Sequence, residues 1–145
     1  MSAIVPLEDL HTGSHFSSPA SLEVTASDIM AFAQAYDPQD AHLSEERALT
    51  SPFGRLVASG WHTAALTMRL LVEVGLTDAI GAGIRLSWPT PTLPGDRLRV
   101  EGQVSDERIS RTKPGRRILT LEYDTLNQDG EVRQRTWATI VATTA

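Results

Sequence analysis

The sequence predicts a single α+β domain in which one long helix lies on an antiparallel sheet. Three observations point there. Helical spacing of apolar residues dominates the chain from Thr25 to Gly75. After Gly83 the pattern changes to strict alternation of apolar and polar residues. Turn signals separate the alternating runs: Leu93-Pro94-Gly95-Asp96, Lys113-Pro114-Gly115 and Asn127-Gln128-Asp129-Gly130. Helices followed by turn-linked strands make a helix-on-sheet arrangement.

Each element has a local cause. Residues 1–19 read as an N-terminal arm, and 20–145 as the domain. Thr25 caps a helix, with Asp28 three residues on as in a capping box. Ile29, Met30, Phe32, Ala33 and Tyr36 recur at helical spacing. Asp37-Pro38 stops that helix, because proline drives the preceding residue out of the α region. Ser44 caps a second, short helix whose first turn carries Glu45 and Glu46. Trp61 to Val74 is the strongest helix, apolar on more than one face and therefore expected to be buried. Gly75 is placed to end it. Leu98, Val100, Gly102 and Val104 alternate with Arg99, Glu101 and Gln103 in a strand. Leu119, Leu121, Tyr123 and Thr125 alternate with Ile118, Thr120, Glu122 and Asp124 in the next, and Val132 to Val141 forms a third.

Composition excludes several function classes. A chain of 145 residues buries roughly two-thirds of its surface on folding, enough for a core without staples. The net charge of −5 argues against a nucleic-acid or anionic-membrane binder. No cysteine is present, so disulfides, thiolate metal sites and a cysteine nucleophile are excluded. The N-terminus lacks a signal-peptide pattern, and no run approaches the ~18 apolar residues of a membrane span. A cytoplasmic location is the resulting expectation.

Two segments carry candidate chemistry. Tyr36-Asp37-Pro38-Gln39-Asp40-Ala41-His42 places a carboxylate and an imidazole five residues apart in an expected loop between helices. Such a pair can share one water, one group taking a proton while the other orients it. The plainer reading is a helix-capping aspartate and a surface histidine. Ala58-Ser59-Gly60-Trp61-His62 places a glycine N–H at the positive end of the long helix. A donor there can hold a developing oxyanion, an effect of roughly 3 kcal/mol. The plainer reading is a glycine needed for sterics.

Taken together, Asp37 to Gly60 (D-P-Q-D-A-H-L-S-E-E-R-A-L-T-S-P-F-G-R-L-V-A-S-G) resembles the signature of the MaoC-like dehydratase and (R)-specific enoyl-CoA hydratase family. Pro91-Thr92-Leu93-Pro94-Gly95-Asp96-Arg97-Leu98 is similar to the family's P-x-x-P-G-D-x-L run, and Asn127 to Val132 to its last hairpin. The resemblance runs from about residue 20 to the C-terminus. It implies a hot-dog fold, an antiparallel sheet wrapped around one helix, paired into a homodimer or higher homo-oligomer with its active site near the interface. It implies that Asp37 and His42 are the acid–base pair, Gly60 the oxyanion donor and Ser59 a small residue lining the site. The implied reaction is syn addition of water to a trans-2-enoyl thioester, or its reverse, without a resident cofactor. The substrate handle is coenzyme A or an acyl-carrier protein.

This chain departs from the family in places. Gln39 and Asp40 stand where the family often has asparagine and proline, and Asp40 would favour the imidazolium if it approached His42. Ser87, Thr90 and Leu93 occupy a stretch that is arginine-rich in many relatives. The phosphates of coenzyme A would then need another cation. Arg111, Lys113, Arg116 and Arg117 are candidates, with a solvated hairpin tip as the alternative. His62 is a further candidate substrate contact, although a hydrogen-bonded, half-buried histidine is the plainer reading. Gln39 and Trp88 are candidate site-lining residues, and Trp61 and Trp88 read equally as core or interface aromatics. His11-x3-His15 lacks a third ligand, so no metal is expected. Gly81-Ala-Gly83 is no dinucleotide fingerprint. A hot-dog thioesterase and a non-catalytic acyl-CoA-binding subunit remain as other functions.

Overall fold

The computed structural model describes residues 6–143, so residues 1–5 of the expected arm and residues 144 and 145 lie outside the description. After a turn of 3-10 helix at Leu7–Asp9, the elements run β1 (His15–Ser17), β2 (Leu22–Glu23), α1 (Ala26–Tyr36), α2 (Asp40–Leu43), α3 (Glu45–Ala48), α4 (Gly60–Val74), β3 (Ile80–Ser87), β4 (Arg97–Ile109), β5 (Arg116–Leu126) and β6 (Val132–Thr143). The sheet is antiparallel in the order β1-β4-β5-β6-β3, and β2 also pairs with β4. No helix among the described residues is long and apolar enough to cross a membrane.

The expected caps form. Thr25 Oγ1 accepts from the Asp28 N–H at 3.1 Å, and Ser44 Oγ from the Arg47 N–H at 3.1 Å. Gly75 ends α4 at φ 109°, a left-handed conformation that favours glycine. The alternation places Val100 and Val104 of β4, and Leu119, Leu121 and Tyr123 of β5, on the inner face. Leu70, Leu71 and Val74 of α4 pack against them. Leu10 and Phe16, within the expected arm, join the same core.

Three expectations need correction. The helix α4 is not buried all round. Its inner face carries Thr63, Thr67, Leu70, Leu71 and Val74, while Trp61, Met68 and Val72 stay exposed. One sheet covers only one side of a helix. Two of the inner residues are threonines, whose hydroxyls are paired: Thr63 with Thr92 at 2.8 Å and Thr67 with Thr125 at 2.7 Å. Second, the Asp37–His42 segment is not all loop, because Asp40–Leu43 winds into one helical turn. Third, His62 is buried rather than half-buried, and its Nδ1 has no hydrogen-bond partner among the described residues. It stacks on Phe32 of α1, with ring centroids 4.8 Å apart and planes 7° apart.

This stack joins α1 to α4. Burial lowers the His62 pKa below the ordinary 6.5, and the charge of Asp28 opposes that shift only in part. A histidine held neutral lets the unfolded chain bind the proton first. Its stabilising share is therefore complete above the ordinary histidine value and is lost as pH falls through it. Urea midpoints should drop between pH 7.5 and pH 5, and His62→Phe should drop less. Parallel declines for the two proteins would contradict this.

Candidate active site

Helix α1 ends where Pro38 follows Asp37, and the Asp37 N–H closes the last turn on the Ala33 carbonyl at 2.9 Å. The chain then tightens. Gln39 N–H donates to the Asp37 carbonyl at 2.8 Å and His42 N–H to the Gln39 carbonyl at 2.9 Å. These bonds form the turn α2 and swing the His42 ring back toward Asp37. His42 Nε2 lies 3.6 Å from Asp37 Oδ2.

The other ring nitrogen fixes the tautomer. His42 Nδ1 is 2.7 Å from the Val57 carbonyl oxygen, which can only accept, so Nδ1 carries the hydrogen. The neutral ring then presents a bare Nε2 to the cleft. Two acceptors 3.6 Å apart suit one water that donates to both.

Asp37 is held from both sides. Ser59 Oγ donates to Oδ2 at 2.6 Å, and Gln39 Nε2 donates to Oδ1 at 2.5 Å. The same Ser59 oxygen caps α4 by accepting from the Trp61 N–H at 3.2 Å. The Ser59 bond, then the Gln39 bond, hold the Asp37 pKa below its ordinary value. Partial burial opposes them, and the charge of His42 adds a smaller lowering. Asp40, expected to disturb His42, turns instead to Arg47 at 2.6 Å.

Gly60 opens α4, and its N–H has no acceptor among the described residues. The close approach of Trp88 explains the glycine. A Cβ here would lie 2.6 Å from the indole. Trp88 Nε1 donates to Gln134 Oε1 at 3.0 Å, and Trp61 stands edge-on to Trp88 with centroids 5.3 Å apart. Asp37, Gln39, His42, Gly60, Trp88 and Arg133 line one cleft of about 500 Å³. A more open depression of about 710 Å³ shares no residue with it.

The other expected residues do not line the cleft. Ser59 stands behind Asp37, and His62 points to Phe32 rather than lining the cleft. Arg117 is buried and engaged with Glu107 and the carbonyls of Leu7 and Leu10. Arg111, Lys113 and Arg116 sit at the β4–β5 turn. The cleft adjoins the opposite, Leu126 end of β5, where Arg133 stands. The length of β5 at about 3.3 Å per residue separates the two ends by roughly 30 Å. His11 Nδ1 meets Glu107 at 3.0 Å, and His15 pairs with Gln103 in the sheet.

Thr90 and Arg133 are cleft residues that the sequence reading did not pick as contacts. Arg133 escapes alternation because a register shift in the β5–β6 pairing puts it and Gln134 side by side in the interior. Its one signal in the sequence was a cation soon after the Asn127–Gly130 turn.

A sequence model of the family described as "MaoC like domain" matches residues 9–124. The solved MaoC-like dehydratase from Rhodospirillum rubrum is 53% identical, with a TM-score of 0.91 over 97% of this chain and 98% of that one. The Bacillus subtilis protein YdeM is 38% identical over 112 residues, 74% of this chain and 78% of its own length. The 3-hydroxybutyryl-CoA dehydratase of Methylorubrum extorquens is 30% identical over 131 residues, 88% of this chain and 82% of its own.

The bonds on Asp37 set a titration. Ser59→Ala removes the principal cause of the lowered pKa, so the Asp37 carboxyl should titrate at higher pH in that variant. Carbon-detected NMR of the side-chain carboxyls reads this shift. An unmoved Asp37 would contradict the clamp.

Proposed function

As the chain belongs to the MaoC-like domain family and has its hot-dog fold, we propose that it is an (R)-type enoyl-CoA hydratase, or 3-hydroxyacyl-CoA dehydratase in reverse. The observation that carries this reading is the convergence of a bare imidazole nitrogen, a fixed carboxylate and a free helix-terminal N–H on one cleft. Its identity with dehydratases supports the reaction class.

The residues suggest a sequence of events. One water donates to Asp37 and to His42 Nε2. Asp37, already holding two hydrogen bonds, is a weak base and serves to orient the water. His42 takes a proton from the water as its oxygen bonds to C3 of the trans-2-enoyl thioester. The C2–C3 π electrons move toward the thioester carbonyl, whose oxygen gathers charge against the Gly60 N–H. That donor is fixed at a helix N-terminus beforehand, the arrangement that lowers a barrier most. His42 then returns the proton to C2, and the carbonyl re-forms. Oxygen and hydrogen arrive from the same side, so addition is syn. Dehydration runs the same steps backwards, with no resident cofactor.

A positioned acid–base group contributes typically 10²–10⁴-fold, and His42 depends on Asp37 to hold the water whose proton it takes. Asp37→Asn and His42→Ala should each lower kcat for trans-2-butenoyl-CoA hydration by about that factor, read as loss of the conjugated thioester absorbance. Full activity in both variants would refute the assignment. Release of free thiol without hydration would favour a thioesterase instead.

The same reading makes the protein a homodimer. Strand β3 is an open sheet edge carrying exposed Ile80 and Ile84. Trp61, Met68 and Val72 extend the apolar surface along α4. A second copy of this chain covers both. Light scattering should give about twice the 15.8 kDa chain mass, or a larger even multiple. A monomer at micromolar concentration would contradict this.

A further inference from the structure

Arg133 lines this cleft and takes no part in the proposed proton transfer. Between Thr125 and Leu126 the β5–β6 register slips, so that Thr125 faces Gln134 and Leu126 faces Val132. Arg133 is the extra residue of that bulge, a device that re-aims a side chain. It turns inward and is 4% exposed, yet lines the cleft beside Asp37 and His42.

Its surroundings hold it rigidly. Nε and Nη2 donate to Asp96 Oδ2 and Oδ1 at 2.9 and 3.3 Å, and Nη1 donates to Thr90 Oγ1 at 3.0 Å. Asp96 is pinned in turn by the Leu93 N–H at 2.9 Å and Asn127 Nδ2 at 3.3 Å. A guanidinium has five N–H groups. Three are used here, which leaves one on Nη1 and one on Nη2 without an acceptor among the described residues. Glu131 Oε2 lies beyond hydrogen-bond reach of Nη1, at 3.9 Å.

A buried ion pair is seldom retained for stability, because apolar side chains of similar size do as well. Unmet donors in a buried cation are costly, and a ligand that supplies an acceptor gains what they lack. The chemistry of the acceptor follows by elimination. The thioester carbonyl is assigned to Gly60, and a simple enoyl tail is hydrocarbon. The remaining acceptors near the reacting carbons are the amide carbonyls of the thioester's carrier arm. Asp96 already neutralises the guanidinium, which favours a neutral carbonyl over a second carboxylate. We infer that Arg133 is a substrate-binding residue that donates from the cleft wall to an amide carbonyl of the arm shared by coenzyme A and acyl-carrier protein. This rests on the hydratase reading.

The test compares trans-2-butenoyl thioesters of coenzyme A, pantetheine and ethanethiol, the last having no amide. Arg133→Met should raise KM about tenfold on the first two, change it less than twofold on the ethyl thioester, and leave kcat nearly unchanged. Arg133→Lys should recover part of the loss. The double variant Arg133→Met/Asp96→Asn should reproduce the pattern without stranding a buried carboxylate. Calorimetric titration with butyryl-CoA, which needs no turnover, should show the same roughly tenfold weakening. An equal KM rise on the ethyl thioester, unchanged butyryl-CoA affinity in the variants, or no butyryl-CoA binding by the wild type would each overturn the inference. A wild type that binds butyryl-CoA but hydrates nothing would refute the hydratase reading alone, and the titration would still decide the role of Arg133.

Discussion

One hydroxyl group joins the two halves of this site. The Ser59 oxygen accepts from the Trp61 N–H at the head of α4, which leaves its single proton to go to Asp37. The position of the carboxylate is thereby set by the helix that also presents the Gly60 N–H. A shift of α4 moves the carboxylate and the amide together, so their spacing survives motion of either. His42 is tied to the same stretch of chain by Val57, two residues before Ser59. In the proposed mechanism, proton transfer and charge stabilisation would therefore share one rigid support, as preorganised catalysis requires.

The support is in turn fixed by β5 and by the loop between β3 and β4. The hydroxyls of Thr63 and Thr67 dock α4 on Thr92 and Thr125 through directional bonds, where a purely apolar face would permit sliding. The Ala58 N–H donates to the Thr92 carbonyl at 2.9 Å, which stitches the segment leading to Ser59 against the opposite cleft wall. Thr90 and Arg133 are part of that wall, and Asp96 braces Arg133 from behind. The residues of the Pro-Gly-Asp turn, remote from Asp37 in sequence, thus shape its cleft.

Much of this was legible in the sequence. Thr25, Ser44 and Gly75 act as the caps their residue types suggest, and the inner faces of β4 and β5 follow the alternation. The Asp37–His42 spacing and Ser59-Gly60 marked two segments that the fold brings together at one cleft. What was not legible has physical causes. The turn α2 is too short to show a period, and it depends on bonds from Gln39. Thr63 and Thr67 look polar until their partners across the core are known. The bulge at Arg133 breaks the two-residue period on which strand reading rests. The basic residues of the β4–β5 turn looked available for phosphates, but strand length carries them to the far end of the sheet and Arg117 is occupied. The exposed side of α4 reflects a surface that one chain leaves uncovered.

The central claim is that a single water, held between an imidazole and a carboxylate, supplies both the oxygen and the hydrogen. Its most direct test is the geometry of the product. Hydration of trans-2-butenoyl-CoA in deuterium oxide, followed by proton NMR of the 3-hydroxy product, gives the relative configuration at C2 and C3. A single diastereomer from syn addition is the predicted result. An anti product, or deuterium scrambled over both faces of C2, would mean that two separate groups deliver the atoms, and the account would fail.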